Sequence, residues 1–523
     1  MDLPSYPCAK LKLDQFFLQW LSEHQDLVNN LLEDAQAGKP LRGPATAMGG
    51  PSPLSPATQH AIFAMTPPLS PSKPRSPRSP LSPARKSSTS SSLKRPPLSQ
   101  LPQFYFPNGA TAPDSARLEF QGRVDHHFNA HPIGLGMEEF VGMAFDAGDL
   151  PRMIGRCMFR RLAGEAGTHV PKDAFTKWWA AHNMLSAPPI KRVYEVLRKE
   201  GQEYLTYEDF SPLMDMVLKY HPGLEFLAET AEFQKKYAET VVFRIFYALN
   251  KAGSGQLTLR ELRRGDLLEA LEALDSEDDI NKVLKYFSYE HFYVIYCKFW
   301  ELDSDHDFLI DRSDLAHYSQ CALSFNIIDR VFEQVPRKFA SRVPGKMSYE
   351  DFVWFILSEE DKTTDTALEY WFKCVDLDSD GVIRPREMWT FYEEQLKRLE
   401  GLSAEPVLFP DVVCQLHDML QPAQEGEYTL RDLKRTKPQS ALLFNALFNL
   451  HKFLSYENRD PFAMRAEQGE FAGLTEWDKF AKVEYYRLAS EDDHEDVTME
   501  AEEQWQDAPM LDSMDRRPAG GKD

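Results

Sequence analysis

The chain has 523 residues, enough for two or more domains, and its 42% hydrophobic and 12% aromatic content suffices for real cores. A formal charge of −22 excludes a general nucleic-acid binder, which needs a basic face. No run of 18 apolar residues occurs, so no membrane span is expected.

Residues 1–36 open the chain. Within them, 11–34 predict an amphipathic helix, with Leu13, Phe17, Trp20, Leu27, Val28 and Leu31 at helical spacing. Asp14, Gln15 and Gln19 interrupt its apolar stretch, so it lacks the core of a signal peptide. Six scattered cysteines (Cys8, Cys157, Cys297, Cys321, Cys374 and Cys414) show neither paired metal spacing nor disulfide-rich density. They read as reduced, mostly buried thiols. An intracellular location, nucleus and/or cytoplasm, is expected.

Residues 37–103 are rich in proline and serine, contain no acid and carry nine Lys or Arg. Such a segment cannot bury enough apolar surface to offset chain entropy, and a disordered basic linker is expected. Seven Ser-Pro or Thr-Pro pairs fall in it. Ser70 and Ser82 have a basic residue at +3 (Lys73 and Arg85), the pattern cyclin-dependent kinases prefer, and are the candidate regulatory phosphorylation sites.

From Phe104 to about Ala489 the pattern is helical with short loops, and it repeats. Residues 104–290 are expected to hold metal-free, EF-like hands. Leu205-Thr-Tyr-Glu-Asp-Phe210 nearly recurs as Met347-Ser-Tyr-Glu-Asp-Phe352. Gly255-Gln-Leu-Thr-Leu-Arg-Glu-Leu262 recurs as Gly426-Glu-Tyr-Thr-Leu-Arg-Asp-Leu433, and Gly473–Phe480 is a looser copy. Asn250–Glu261 keeps the full length of a calcium loop, but Ala252 at position 3 offers no side-chain oxygen. Gly134-Leu-Gly136 lacks the third glycine of a dinucleotide fingerprint, since Glu139 stands there. His126 and His127 read as surface residues rather than ligands.

Residues 291–489 are expected to carry two calcium loops. The first is Asp303-Ser-Asp-His-Asp-Phe-Leu-Ile-Asp-Arg-Ser-Asp314. Asp303, Asp305, Asp307, Asp311 and Asp314 occupy positions 1, 3, 5, 9 and 12, with the Leu309 carbonyl at position 7. Phe308 stands where the turn favours glycine, and Asp314 has a shorter arm than the usual glutamate, so this site should be the weaker. The second loop is complete: Asp376, Asp378 and Asp380 at positions 1, 3 and 5, Gly381 at 6, the Val382 carbonyl at 7 and Glu387 at 12. Ca²⁺ takes 6–8 oxygens at about 2.3–2.6 Å, and this order of donors supplies them. Apolar eighth residues of two hands pair as a short ladder, so 303–314 should pair with 340–351, and 376–387 with the copy ending near Asp432. Each calcium loop would then sit beside a metal-free partner. Leu442–Leu454, interrupted by Asn445, Asn449, His451 and Lys452, reads as a core helix. Residues 490–523 form an acidic tail with eleven Asp or Glu between 491 and 515, expected to be disordered.

Walker, HExxH, GxSxG and kinase catalytic motifs are absent from the sequence, and catalysis has no positive support. The two calcium loops, the segment Gln100-Leu-Pro-Gln-Phe-Tyr-Phe-Pro-Asn-Gly109 and the run Phe299-Trp-Glu-Leu-Asp-Ser-Asp-His-Asp together resemble the B'' family of protein phosphatase 2A regulatory subunits. The resemblance spans roughly 104–485. It implies a subunit that is not an enzyme. A member of that family binds the HEAT-repeat scaffold and catalytic subunits and presents phosphoprotein substrates, with no nucleic-acid or membrane partner. The implied cofactor is Ca²⁺. The expected fold is mainly α, an elongated array of EF-hand and EF-like helix–loop–helix units between a disordered N-terminal tether and the acidic C-terminal tail. The alternative is a free-standing EF-hand calcium sensor that binds target peptides.

Overall fold

The computed structural model describes residues 112–490, apart from 165, 403–406, 461–468 and 470. The N-terminal amphipathic stretch, the linker with Ser70 and Ser82, the segment 100–109 and the acidic tail lie outside the described residues.

The described chain is helical, with three two-residue antiparallel ladders. In the first, β1 (Tyr204–Leu205) pairs with β2 (Leu257–Thr258). In the second, β3 (Leu309–Ile310) pairs with β4 (Met347–Ser348). In the third, β5 (Val382–Ile383) pairs with β6 (Tyr428–Thr429). The last two are the pairings expected from spacing. Each ladder places two apolar eighth residues opposite or next to one another, and all six (Leu205, Leu257, Ile310, Met347, Ile383 and Tyr428) are fully buried. Burial of such side chains contributes roughly 1.5–3 kcal/mol each, which is why the ladders persist whether or not a metal is involved.

The residue after the ladder starts the exiting helix in the same way in nearly every hand. Thr206, Thr258, Ser348 and Thr429 cap their helices, and each forms a capping box with the acid three residues on: Asp209, Glu261, Asp351 and Asp432. Thr475 and Asp478 exchange the equivalent bonds at the start of the helical stretch 476–490. A capping box satisfies two otherwise orphaned amides, so the repeated Ser/Thr-x-x-Asp/Glu string fixes the start of each helix locally.

Sequence reading missed one more pair. Leu135 bridges Val170 antiparallel, joining the helix-loop-helix 114–146 to the helix-loop-helix 152–181. Gly134-Leu-Gly136 is therefore part of a degenerate hand. The signal was present, because Leu135-Gly-Met-Glu-Glu-Phe140 follows the pattern of Leu205–Phe210.

Two aromatic-rich cores run through the described residues, one from Phe120 to Phe292 and one from Tyr247 to Ala481. The helix Ala231–Leu249 serves both. Its Tyr237 and Phe246 lie in the first core and its Tyr247 in the second, and its Thr240 hydroxyl bonds the Tyr349 hydroxyl at 2.8 Å.

The expected single helix over Leu442–Leu454 is a correction. Two helices, Ala441–Phe448 and Leu450–Glu457, meet at Asn449, whose backbone is extended (φ −115°, ψ 102°). The Asn449 side chain accepts the Lys452 amide and donates to buried Glu359, so it breaks the first helix by capping the second.

Candidate metal centres

Loop 376–387 joins the helix Asp365–Val375 to the helix Pro385–Gly401. Buried Asp376 organises it from position 1. One of its carboxylate oxygens accepts the Gly381 amide at 2.9 Å and the other the Asp380 amide at 3.2 Å. Asp378 also accepts the Asp380 amide (3.2 Å), and Asp380 accepts the Val382 amide (2.9 Å). Gly381 takes φ +85°, a region that favours glycine. The curl brings one carboxylate oxygen from each of Asp376, Asp378 and Asp380 within 4.8 Å of one another. Oxygens on opposite sides of a Ca²⁺ ion lie about 4.6–5.2 Å apart, so these three fit one coordination sphere.

Glu387 stands outside that trio and closes the loop through its backbone. Its two oxygens accept the Leu377 amide (2.7 Å) and the Arg384 amide (2.9 Å). A carboxylate has about four lone-pair sites, so both oxygens retain ligating capacity. Arg384 reaches Asp380 at 2.5 Å and Glu427 of the partner loop at 3.4 Å. The hydrogen-bonded guanidinium holds Asp380 below the usual carboxylate range.

Loop 303–314 repeats the same wiring. Asp303 accepts the amides of Phe308 (2.9 Å) and Asp307 (3.2 Å), and Asp307 accepts that of Leu309 (2.8 Å). Asp303, Asp305 and Asp307 again bring three oxygens within 4.8 Å of one another. Phe308 adopts φ +61°, the same left-handed region as Gly381. Its ring packs near Phe299 and Trp300, and Lys236 approaches it at 5.1 Å, so aromatic contacts offset an unfavourable backbone. The short arm of Asp314 is met by a hydroxyl: Ser304 Oγ donates to it at 3.1 Å, where Glu387 met an amide. Asp311 is committed to capping its helix, accepting the amides of Ser313 (2.7 Å) and Asp314 (3.0 Å). Asp311 and Asp314, like Glu387, are not part of the converging trio.

A cation from the partner loop also reaches the first loop. Lys346, at position 7 of the partner loop 340–351, pairs with Asp307 and lies 3.6 Å from Asp305. That pairing lowers the Asp307 pKa, while burial raises that of Asp303.

The hands expected to be metal-free keep the twelfth acid and meet it with protein nitrogen. In loop 250–261 the Asn250 amide nitrogen donates to Ser254 Oγ (3.3 Å), the Gln256 carbonyl (3.0 Å) and Glu261 (3.0 Å). Those are positions 5, 7 and 12, three of the donors an ion would use. In loop 340–351 the Arg337 guanidinium binds buried Asp351 at 2.6 Å and also pairs with Glu350. In loop 198–209, Lys199 lies 3.5 Å from Asp209, and in loop 421–432, Arg435 lies 3.5 Å from Asp432. Sequence reading found the missing oxygen at Ala252 but not these substitutes.

Residues 189–277 match the model of an EF-hand domain, and residues 292–393 that of an EF-hand domain pair. The chain is 47% identical over 521 residues to the probable B''epsilon regulatory protein of serine/threonine protein phosphatase 2A from Arabidopsis thaliana, an alignment covering 98% of this chain and 96% of that protein. It is 44% identical over 527 residues to the probable B''delta counterpart from the same plant, covering 97% of each. The alpha form of the B'' regulatory component of human serine/threonine-protein phosphatase 2A is 39% identical over 468 residues, which are 88% of this chain and 38% of that protein.

Proposed function

The chain belongs to the B'' family of protein phosphatase 2A regulatory subunits, and from that premise we propose that it docks on the HEAT-repeat scaffold subunit and directs the catalytic subunit to selected phosphoproteins, with Ca²⁺ tuning assembly. It is a regulator rather than a catalytic chain, as its relatives are named. Among the described residues, no helix is long and apolar enough to cross a membrane.

Asp376, Asp378 and Asp380 would hold the stronger ion through their carboxylates, Val382 through its carbonyl and Glu387 through both oxygens. Asp303, Asp305, Asp307, Asp311, Asp314 and the Leu309 carbonyl would hold the weaker one. Bound Ca²⁺ supplies a divalent charge that ties the loop's oxygens to one centre and so sets the angle between its flanking helices. The carrying observation is the contrast among hands. Three carboxylates converge in loops 303–314 and 376–387, whereas in loops 250–261 and 340–351 a side-chain nitrogen meets the twelfth acid. In the linker, phosphorylation of Ser70 and Ser82 would lower the positive charge and add a second input.

Buried packing weighs against the free sensor. Peptide-capturing hands open a methionine-rich groove. Here Met388, Phe391 and Tyr392 on the exiting helix are buried, and Trp389 packs edge-on against Phe409.

The test is the affinity of the full chain for purified scaffold subunit, in Ca²⁺ and in chelator. The wild-type chain should bind about fivefold or more weakly in chelator, and D376A/D378A should show that weak value in both buffers. Equal wild-type affinities would remove calcium tuning, and no binding in either buffer would remove docking.

A further inference from the structure

The two calcium loops share no β ladder, since each is paired to a metal-free partner. They are nonetheless joined by the short helix Phe325–Phe332. Where it meets the first loop, Asp329 pairs with Arg312, the tenth residue of that loop, at 2.9 Å. The polar contacts on the other side belong to the second hand, its loop and its two flanking helices. Arg330 donates to the carbonyl of Cys374 at 2.9 Å and to that of Asp376, the first loop residue, at 3.3 Å. These bonds cap the helix that enters loop 376–387.

The helix that leaves the same loop holds the other end. Glu394 accepts the amides of Phe325 (2.7 Å) and Asn326 (3.1 Å), satisfying two orphan donors at the start of Phe325–Phe332. The Asn326 side chain donates to the Thr390 carbonyl at 3.2 Å. One turn further along, Arg398 donates to the carbonyls of Ala322 and Cys321. Those carbonyls adjoin a left-handed turn in which Ser319, Gln320 and Cys321 have φ +49°, +58° and +60°. Three successive non-glycine residues in that region are costly and stay there only when surrounding contacts hold them. Arg398 supplies such contacts.

Both flanking helices of one loop thus grip a rod that also meets the exiting helix of the other loop. A change in the angle between the gripping helices must move the rod, break its caps or carry Arg312 with it. Resting on the reading that both loops bind Ca²⁺, we propose that Phe325–Phe332 couples the two sites, so that filling loop 376–387 tightens loop 303–314. Tightening is the expected sign because the stronger site, once filled, fixes the rod and lowers the ordering cost at the weaker one. Linkage requires the reverse effect to be equal.

Calorimetric Ca²⁺ titration of the full-length chain tests this. Loop 303–314 is measured alone in E387Q and as the weaker step in the wild-type chain. The wild-type step should be at least about fivefold tighter, the low end of ordinary coupling. In R330M, which keeps every ligand but loses the caps at Cys374 and Asp376, two equivalents should still bind with the gap reduced below twofold. Glu394→Ala severs the other end of the rod and should do the same. Two wild-type equivalents, with the weaker step within twofold of its value in E387Q, overturn the coupling alone. Fewer than two wild-type equivalents overturn the reading beneath it and the coupling with it.

Discussion

Loops 303–314 and 376–387 and their ladder partners 340–351 and 421–432 share a frame and differ at its centre. All four bury the eighth residue and keep an acid at position 12. In the first two, three further carboxylates converge. In the partners positions 1 and 3 hold no acid, Glu425 is the one acid at a position 5, and Arg337 or Arg435 faces the twelfth. The helix–loop–helix therefore needs a positive or donating centre for its twelfth acid, and an ion is one way to supply it. The other hands keep their fold because a side chain took the role.

The sharpest way to break that comparison is to remove a substitute. Arg337→Met leaves Asp351 almost fully buried and uncompensated in charge. Losing one partner of a buried pair costs about 3–5 kcal/mol. Asp351 keeps the amides of Ala340, Ser341 and Ser348, so a loss near 3 kcal/mol is expected in urea unfolding. A loss below about 1 kcal/mol would mean that the arginine is surface decoration.

Lys346 sharpens the contrast from the other side, as a substitute cation reaching a loop that still has its ligands. Lys346→Gln should tighten Ca²⁺ at loop 303–314 about two- to fivefold, the range of an exposed ion pair. Unchanged or weaker binding in a chelator-competition assay would contradict competition between lysine and ion.

The smallest effect lies where an ion-competent hand is tied to its metal-free neighbours. Asp365 begins the helix entering loop 376–387 and meets Lys251 at 2.8 Å and Lys437 at 2.6 Å. Hydrogen bonds from those lysines hold its carboxyl well below the ordinary range. A depressed folded-state pKa means the stability is present above the unfolded value, near 4, and is lost as pH falls through the folded one. Asp365 is partly exposed, so D365N should cost about 1 kcal/mol or less at pH 7, with the difference shrinking steadily below about pH 4. A pH-independent difference would point to packing instead.

How much of this was legible in the sequence follows from how local each feature is. The candidate calcium ligands of one loop lie within twelve residues, so Asp376 to Glu387 and Asp303 to Asp314 could be read in order, and so could the capping strings that start the helices. The ladders at 310/347 and 383/428 followed from spacing. The substitutes could not be read, because Arg337 and Lys346 act through partners brought near by tertiary folding. Asn250 was hidden differently: it occupies position 1, where asparagine passes as a weak ligand, yet its amide nitrogen turns inward as a donor. The hand at Leu135 was obscured because two glycines suggested a nucleotide motif and drew attention from Leu135–Phe140. Asn449 broke a predicted helix because it caps the Lys452 amide locally while its side-chain nitrogen bonds Glu359, which lies in a distant segment.

The central claim is that a hand binds Ca²⁺ only where carboxylates, rather than a protein nitrogen, fill its centre. Titrating Ca²⁺ into the purified full-length chain by calorimetry, beside the N250D/A252D variant, tests this most directly. The account predicts two equivalents for the natural sequence and three for the variant, in which the amide donor is replaced and position 3 regains an oxygen. No heat of uptake in the natural chain, or a third equivalent without the substitutions, would contradict it.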